Sequence, residues 1–98
     1  MTGREWRKAR VDLATNITTI TAVPCLVKGV YINTALSAHA CEIKDGTDNA
    51  FTIPASATAA NAYDFGPTKY TTSLIVDPDD SGTGNITVLF VPLGEPHA

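Results

Sequence analysis

The clearest alternation of apolar and polar positions lies between residues 41 and 53, CEIKDGTDNAFTI. An Asp45-Gly46 pair interrupts this alternation near its centre. A period of two on both sides of Asp-Gly is typical of a β-hairpin that buries one face. We therefore predict strands over residues 40–44 and 50–53, joined by a tight turn. The apolar side chains on one face are expected to fill the core: Cys41, Ile43, Phe51 and Ile53.

Two segments before the hairpin show weaker patterns of the same kind. In residues 11–22, VDLATNITTITA, the apolar positions change parity near Thr18. This change predicts a bulge or turn at that point, or two short strands. Residues 25–33, CLVKGVYIN, alternate again and predict a further strand. In that strand we expect Leu26, Val30 and Ile32 to face the core and Lys28 to face outwards.

Three segments after the hairpin are also predicted to be strands. The first is AYDF, residues 62–65, ended by Gly66-Pro67, and the second is YTTSLIV, residues 70–76. The third, ITVLFV at residues 86–91, is apolar at both parities. Such a run is typical of a central strand that is covered on both faces. Small residues fill the connection 54–61, and turn-forming polar residues fill 77–85.

The whole pattern predicts an all-β protein. We count roughly seven or eight short strands with turn signals about every 8–12 residues, and no convincing helix. This spacing favours an antiparallel β-sandwich or a jelly-roll-like small barrel. The chain has 98 residues, which suits one domain. We divide it into a basic N-terminal arm at 1–10, a β-sandwich domain at 11–93 and a C-terminal tail at 94–98.

The distribution of charge changes this picture at the N-terminus. The net charge is −3, but residues 1–10 contribute +3 and the remainder −6. An acidic body argues against nucleic-acid binding, because phosphate contacts need a basic surface. A basic arm on an acidic body instead favours self-association. Tryptophan and arginine are favoured at contact hot spots, so the predicted interface residues are Arg4, Trp6, Arg7 and Arg10.

Composition adds little about the compartment and more about the surface. Only 17% of the residues are charged, against roughly 25% in an average soluble protein, and this suits close-packed interfaces and a homo-oligomer. We expect no signal peptide and no membrane contact, because no apolar run is long enough for either. Cys25 and Cys41 are expected to be reduced core thiols, with a disulfide as the alternative.

The candidates for chemistry are few. The string DPDDSG, residues 77–82, resembles the first half of an EF-hand calcium loop, but Val88 replaces the glutamate that closes such a loop. His39 and Cys41 have the spacing of residues on one strand face and are considered as a catalytic Cys-His pair. The sequence shows no motif for an oxyanion hole and no carboxylate that would orient the histidine. We therefore predict no catalytic residue, no metal and no cofactor, and a protein that is not an enzyme.

Two strings carry a resemblance to a known group: GVYINTALSAHACEIKDGTDNAFTIPAS and TSLIVDPDDSGTGNITVLFVP. The region from Gly29 to Val91, about two thirds of the chain, resembles small virion proteins of tailed bacteriophages. The resemblance implies a capsid cement (decoration) protein on the outer shell, assembled in the host cytoplasm. It further implies binding across subunits of the major capsid protein and a homo-oligomer, with a trimer favoured.

Other functions stay open from the sequence. A tail or neck adaptor or a fibre-base module of the virion would show the same sequence pattern. A module of a different class, a β-sandwich that binds calcium or a glycan through the loop 77–85, is the third alternative.

Overall fold

The structure is a computed structural model and describes residues 6–93. Eight strands lie in this range. Within this range no helix occurs, and so none that is long and apolar enough to span a membrane. The all-β prediction is confirmed. The strands are β1 (Arg7–Asp12), β2 (Thr18–Thr21), β3 (Cys25–Thr34), β4 (Cys41–Asp45), β5 (Asp48–Ile53), β6 (Ala62–Tyr70), β7 (Leu74–Pro78) and β8 (Asn85–Pro92).

The strands form two antiparallel sheets that pack face to face. The first sheet has the order β1-β8-β3-β6, and the second has the order β2-β7-β4-β5. One hydrophobic core lies between them, as in an antiparallel β-sandwich. That alternative of the fold prediction is therefore confirmed. β8, which contains the apolar segment 86–91, lies at the centre of the first sheet, between β1 and β3.

The predicted hairpin is formed by β4 and β5. Ile43 lies opposite Phe51, and Cys41 lies opposite Ile53. The loop between the strands consists of Gly46 and Thr47. Gly46 has a φ of 64°, a conformation that glycine adopts without steric cost. The register shifts by one residue between Ile43 and Lys44, so Ala50 is an extra residue that forms a bulge next to the turn. The turn and the alternation are local signals that could be read from the sequence, whereas this bulge was not predicted.

The core is built mainly from aliphatic side chains. Each fully buried Leu, Ile or Val contributes about 1.5–3 kcal/mol relative to an exposed position. On the side where β5 meets β6, the Phe51 ring lies 5.3 Å from Tyr63 and 4.9 Å from Phe65, centroid to centroid. These half-buried rings close that side of the sandwich. The large fully buried side chains include Leu13, Ile32, Ile43, Ile53, Leu74 and Ile86.

Both cysteines lie in this core as free thiols. Burial raises the pKa of Cys25 to about 11 and that of Cys41 to about 12. Nearby carboxylates, Asp45 for Cys25 and Asp77 for Cys41, act in the same direction. The prediction of reduced core thiols is confirmed, and the disulfide alternative is wrong.

The N-terminal segment differs from the prediction. Residues Arg7–Arg10 were expected in an arm without strand structure, but they begin β1, which pairs with β8 along the edge of the first sheet. Strand β1 therefore crosses the boundary that we predicted at residue 10. Charges hide this strand in the sequence, because only Ala9 and Val11 turn towards the core. An edge strand tolerates such charge, which also blocks further edge pairing. Residues 1–5 lie outside the described residues, as do residues 94–98 of the predicted tail.

The parity change near Thr18 reflects a turn between two sheets. β1 ends at Asp12 in the first sheet, and β2 begins at Thr18 in the second. The Asp12 carboxylate accepts a hydrogen bond from the Ala14 backbone nitrogen, which caps the turn. The structure therefore shows two strands joined by a turn, and the register shift between Thr19 and Thr21 adds a bulge within β2.

A bulge in β3 makes one predicted orientation wrong. The register shifts between Val27 and Gly29 in the pairing with both neighbours. Val27, Val30 and Ile32 are buried, whereas Leu26 is only half-buried on the outer side. A bulge inserts one residue and so exchanges the two faces along a strand. Leu26 and Val30 therefore cannot share a face, although their even spacing predicts that they do.

Two boundaries in the second half also differ. Gly66-Pro67 does not end β6, which continues to Tyr70 as an edge strand. Proline is tolerated there because an edge strand has unpaired backbone nitrogens and because the register shifts at this point. Tyr70 therefore closes β6 and does not open β7, which begins at Leu74. β7 extends through Asp77 to Pro78, so the polar loop is shorter than predicted.

Three loops pack together at one end of the sandwich: residues 35–40, 54–61 and 79–84. Ser37 links them, because its carbonyl accepts from the Ser56 nitrogen at 2.8 Å and its hydroxyl accepts from the Thr83 nitrogen at 3.0 Å. The Leu36 nitrogen donates to the Ala57 carbonyl at 2.9 Å, and both side chains are buried. The loop of small residues at 54–61 is thus a surface connection that hydrogen bonds fix to the loop 35–40.

The same loop contains two residues other than glycine in the left-handed region, Ser56 with φ 62° and Ala60 with φ 68°. This conformation costs an alanine about 1–2 kcal/mol. We expect Ala60→Gly to stabilise the protein by about 0.5–1 kcal/mol, after subtraction of the greater chain entropy of glycine. Urea unfolding followed by circular dichroism measures the change. Ala59→Gly, next to it and without a positive φ, should destabilise, and equal effects of the two variants would contradict this account.

Candidate protein-binding face

Three of the four predicted interface residues fall on or beside β1. Arg4 lies outside the described residues, whereas Trp6 directly precedes β1, and Arg7 and Arg10 lie within it. The Trp6 side chain is 39% exposed. The Lys28 ammonium, from β3, lies 5.5 Å from the centroid of its ring, which is a cation–π contact. Trp6 therefore lies against the outer side of the first sheet.

The strand register identifies the other residues of this outer side. Directly paired residues of neighbouring strands share a face. Lys8 pairs with Leu89, and Arg10 pairs with Thr87, which pairs in turn with Tyr31 of β3. The residues of the opposite parity, such as Val11 and Val88, are buried in the core. Lys69 of β6 lies opposite Leu26 on the same outer side.

These residues form one continuous surface, which we call the basic-aromatic face. Tyr31 is 43% exposed at its centre. Arg10 is held in place because its Nε donates to the Asn85 side-chain oxygen at 2.9 Å, and that oxygen also accepts from Asn33 at 2.8 Å. Among the described residues, four cations share this surface with two carboxylates, Asp12 and Asp64, which leaves a charge of +2. Its main members are Trp6, Lys8, Arg10, Lys28, Tyr31 and Lys69.

A shallow depression of about 200 Å³ lies on this face, and its lining is mostly apolar. Tyr31, Leu89 and Ala62 form its walls, with Gly29 at the β3 bulge. A Cβ atom at Gly29 would lie 2.3 Å from the Tyr63 carbonyl oxygen, so only glycine permits this approach of β6 to β3. The depression therefore depends on the absence of one side chain.

The outer side of the second sheet has the opposite charge. A concave region of about 400 Å³ is lined there by Glu42, Asp77, Asp79 and Asp80, and we call it the acidic face. The Lys44 Nζ lies 2.7 Å from Asp77 and 3.8 Å from Glu42. The hydrogen bond to Asp77 raises the pKa of Lys44, with the charges of Asp77 and Glu42 acting in the same direction against desolvation. Four carboxylates and one lysine leave a charge of −3.

The structure separates the residues considered for catalysis. The Cys41 thiol is buried in the core with its raised pKa. A thiol in that state is a poor nucleophile. His39 instead points its Nδ1 at Asp79, 3.3 Å away. The two side chains therefore serve different parts of the molecule and do not form a nucleophile and base.

The calcium-like string is divided between a strand and a loop. Asp77 and Pro78 belong to β7, and Asp77 is paired with Lys44. Asp79 accepts from the Ser81 backbone nitrogen at 3.0 Å, which forms a local turn. No group of three or more His, Cys, Asp or Glu residues within 6–93 is placed to hold a metal ion. Nothing in this arrangement favours the calcium-binding alternative.

Sequence reasoning identified Trp6 and Arg10 but missed Tyr31, Leu89 and Lys69 as parts of the same surface. Tyr31 carried a signal, since its parity is opposite to that of the buried Ile32. The signal at Leu89 was misleading, because β8 is apolar at both parities and we therefore predicted that both of its faces are covered. Within residues 6–93 no third sheet packs on the outer face of β8: Thr87 and Leu89 are half-buried there, and Val91 is buried.

No family model matches this chain, and comparisons with curated proteins and with solved structures found no match. The functional argument therefore depends on the residues of the chain itself.

Proposed function

We propose that this protein is a non-enzymatic structural component of a tailed-bacteriophage virion, a capsid cement protein of the outer shell. It acts by burying its surface between protein subunits and so opposes their separation. The observation that carries this proposal is the basic-aromatic face, where Trp6 and Tyr31 are exposed on a rigid sheet. Exposed aromatic rings beside basic side chains are typical of protein interfaces. The resemblance of residues 29–56 and 72–92 to phage virion proteins supplies the partner, the major capsid protein.

The position of Trp6 directly before a paired strand refines the mechanism. An arm could bind a neighbour only by becoming ordered, with a loss of chain entropy. The Trp6 side chain is instead held against Lys28 beside a paired strand. A surface that is ordered before binding loses less entropy, and this suits a protein that must occupy many equivalent sites.

The test uses expanded capsids of the virus that carries this sequence. We expect the double variant Trp6→Ala, Tyr31→Ser to lower the occupancy of capsids at least about tenfold in cosedimentation, since interface tryptophans are frequent hot spots. Ile17→Ser is the matched control, because Ile17 is 56% exposed but lies in the turn before β2, away from this face. Point variants are preferable to a deletion of residues 1–10, because that deletion would remove most of β1 and so disturb the first sheet.

Two results would contradict the proposal. One is unchanged occupancy by the double variant with unaltered thermal stability. The other is an electron micrograph in which wild-type protein, tagged at the C-terminus, is found at only a few positions on the axis of the virion. That location would favour the tail, neck or fibre-base alternative over a lattice of cement sites.

A further inference from the structure

The basic-aromatic face has the composition of a covered surface. Leu89 and Leu26 are only half-buried there, and Leu89 and the exposed Tyr31 both line the apolar depression. β8 is apolar at both parities, as is typical of a strand with layers on both sides. The second layer is not supplied by residues 6–93. A partner that places apolar atoms over this sheet would complete the burial.

The charges on the page indicate which partner fits. The basic-aromatic face carries Lys8, Arg10, Lys28 and Lys69, and the acidic face carries four carboxylates against Lys44. The two faces lie on opposite outer sides of one sandwich, because one belongs to the first sheet and the other to the second. They therefore cannot pair within a single copy. Between two copies they are complementary in sign.

We propose that the basic-aromatic face of one copy docks on the acidic face of a second copy. The inference rests on the proposed function, in which this face binds the major capsid protein, and adds a second copy of this chain as a partner of the same face. The contact joins two different surfaces and is therefore heterologous. One copy of the pair keeps its acidic face unused and the other keeps its basic-aromatic face, so the contact can repeat. Because the two faces lie on opposite sides of the sandwich, repetition gives an open stack with one free basic-aromatic face at its end.

A nucleic acid fits this face less well. Its net charge is only +2, with Asp12 and Asp64 among the cations. Binding to a phosphate backbone depends on several cations that replace condensed counterions. An apolar depression beside Tyr31 also has no counterpart on a duplex backbone. A protein surface that offers carboxylates around apolar atoms matches both features.

The experiment measures molar mass by light scattering of the purified protein without capsids, across protein and NaCl concentrations. We expect a mass above the 10.3 kDa of one chain at low salt, and dissociation as NaCl rises. The double variant Lys8→Glu, Lys69→Glu should weaken association at least about tenfold. The double variant Asp79→Lys, Asp80→Lys should do the same. Combining all four substitutions in one chain restores opposite signs and should restore association.

A matched control separates this effect from net charge and from folding. Ala55→Glu with Thr58→Glu adds negative charge at exposed positions of the 54–61 loop, and should leave association unchanged. Circular dichroism verifies the fold of each variant, and Lys8→Gln replaces Lys8→Glu if the reversal unfolds the chain. A monomer at all concentrations, or association that ignores both reversals, overturns the inference.

This experiment also distinguishes failure of self-docking from failure of the proposed function. A monomer that decorates capsids through Trp6 and Tyr31 would retain the cement function and overturn self-docking. A stable, salt-sensitive oligomer that does not bind capsids would support self-docking and contradict the cement function.

Discussion

Replacing Gly29 by alanine is expected to lower the free energy of unfolding by about 3 kcal/mol, and the Tm by roughly 15 °C. The added Cβ would lie 2.3 Å from the Tyr63 carbonyl oxygen, which belongs to the backbone of β6 and cannot rotate away. Relief requires β6 to separate from β3 at the bulge. Thermal and urea unfolding, both followed by circular dichroism, measure the effect.

The sign of this change distinguishes two explanations. Gly29 does not have a positive φ, so without the contact alanine would be neutral or would stabilise by about 0.4–1 kcal/mol through the unfolded chain. Gly66→Ala is the contrasting variant. At Gly66 a Cβ meets nothing within 4 Å, but φ is +99°, so only a torsional cost of about 1 kcal/mol is expected. A milder effect at position 29 than at position 66 would refute the steric account.

Replacing Asp45 by asparagine is expected to cost about 2 kcal/mol of stability at pH 7. The Asp45 carboxylate accepts hydrogen bonds from the backbone nitrogens of Thr71 and Thr72, each at 2.8 Å, and from that of Ser73 at 3.3 Å. The Gly46 nitrogen donates to the Ser73 hydroxyl at 3.1 Å. These bonds join the hairpin turn to the segment between β6 and β7. An amide has one acceptor oxygen and turns its NH₂ group towards these donors.

The same contacts predict a dependence on pH. Partial desolvation acts to raise the pKa of Asp45, but the hydrogen bonds from Thr71, Thr72 and Ser73 together outweigh it and lower the pKa below 3.8. A lowered carboxyl pKa in the folded state stabilises the protein above the unfolded pKa of about 3.9. This stability is lost as the pH falls through the folded value. The difference between wild type and Asp45→Asn should therefore be constant above about pH 5 and narrow below pH 4.

Asp48→Asn is the matched control for this measurement. Asp48 lies across the same turn, opposite Asp45, and is exposed. We expect its substitution to change stability by less than about 0.5 kcal/mol and to leave the acid limb unaltered. Equal pH profiles for the two variants would show that Asp45 has no special role in joining the hairpin to the β6–β7 segment.

The hairpin and the central strand were predictable because their information is local. Alternation in β4 and β5, the turn at Asp45-Gly46 and the apolar run in β8 each specify structure within a few residues. β1 was missed because its signal is not local. Its charges are acceptable only at the edge of a sheet, and nothing before Val11 shows that an edge lies there. The orientation of Leu26 was wrong because the bulge at Lys28 and Gly29 follows from packing against β6.

The candidate site shows the same division. Trp6 and Arg10 could be proposed from residue type, whereas Lys28 reaches the Trp6 ring only through the pairing of β1 and β3 with β8. The depression beside Tyr31 exists because Gly29 allows two strands to approach. Asp77 was considered a calcium ligand in the sequence, and the fold places it against Lys44 of the neighbouring strand. Contacts of this kind depend on which strands become neighbours.

By itself, the sequence determined an all-β chain, its main hairpin and most of its aliphatic core, and it favoured reduced thiols over a disulfide. The physical reason is that the burial of apolar side chains follows the period of two along each strand. Only the tertiary structure decided that the scattered basic residues share one outer face and that four carboxylates share the opposite one. Strand order in a sheet is set by long-range pairing, and residues far apart in the chain thereby meet on one surface.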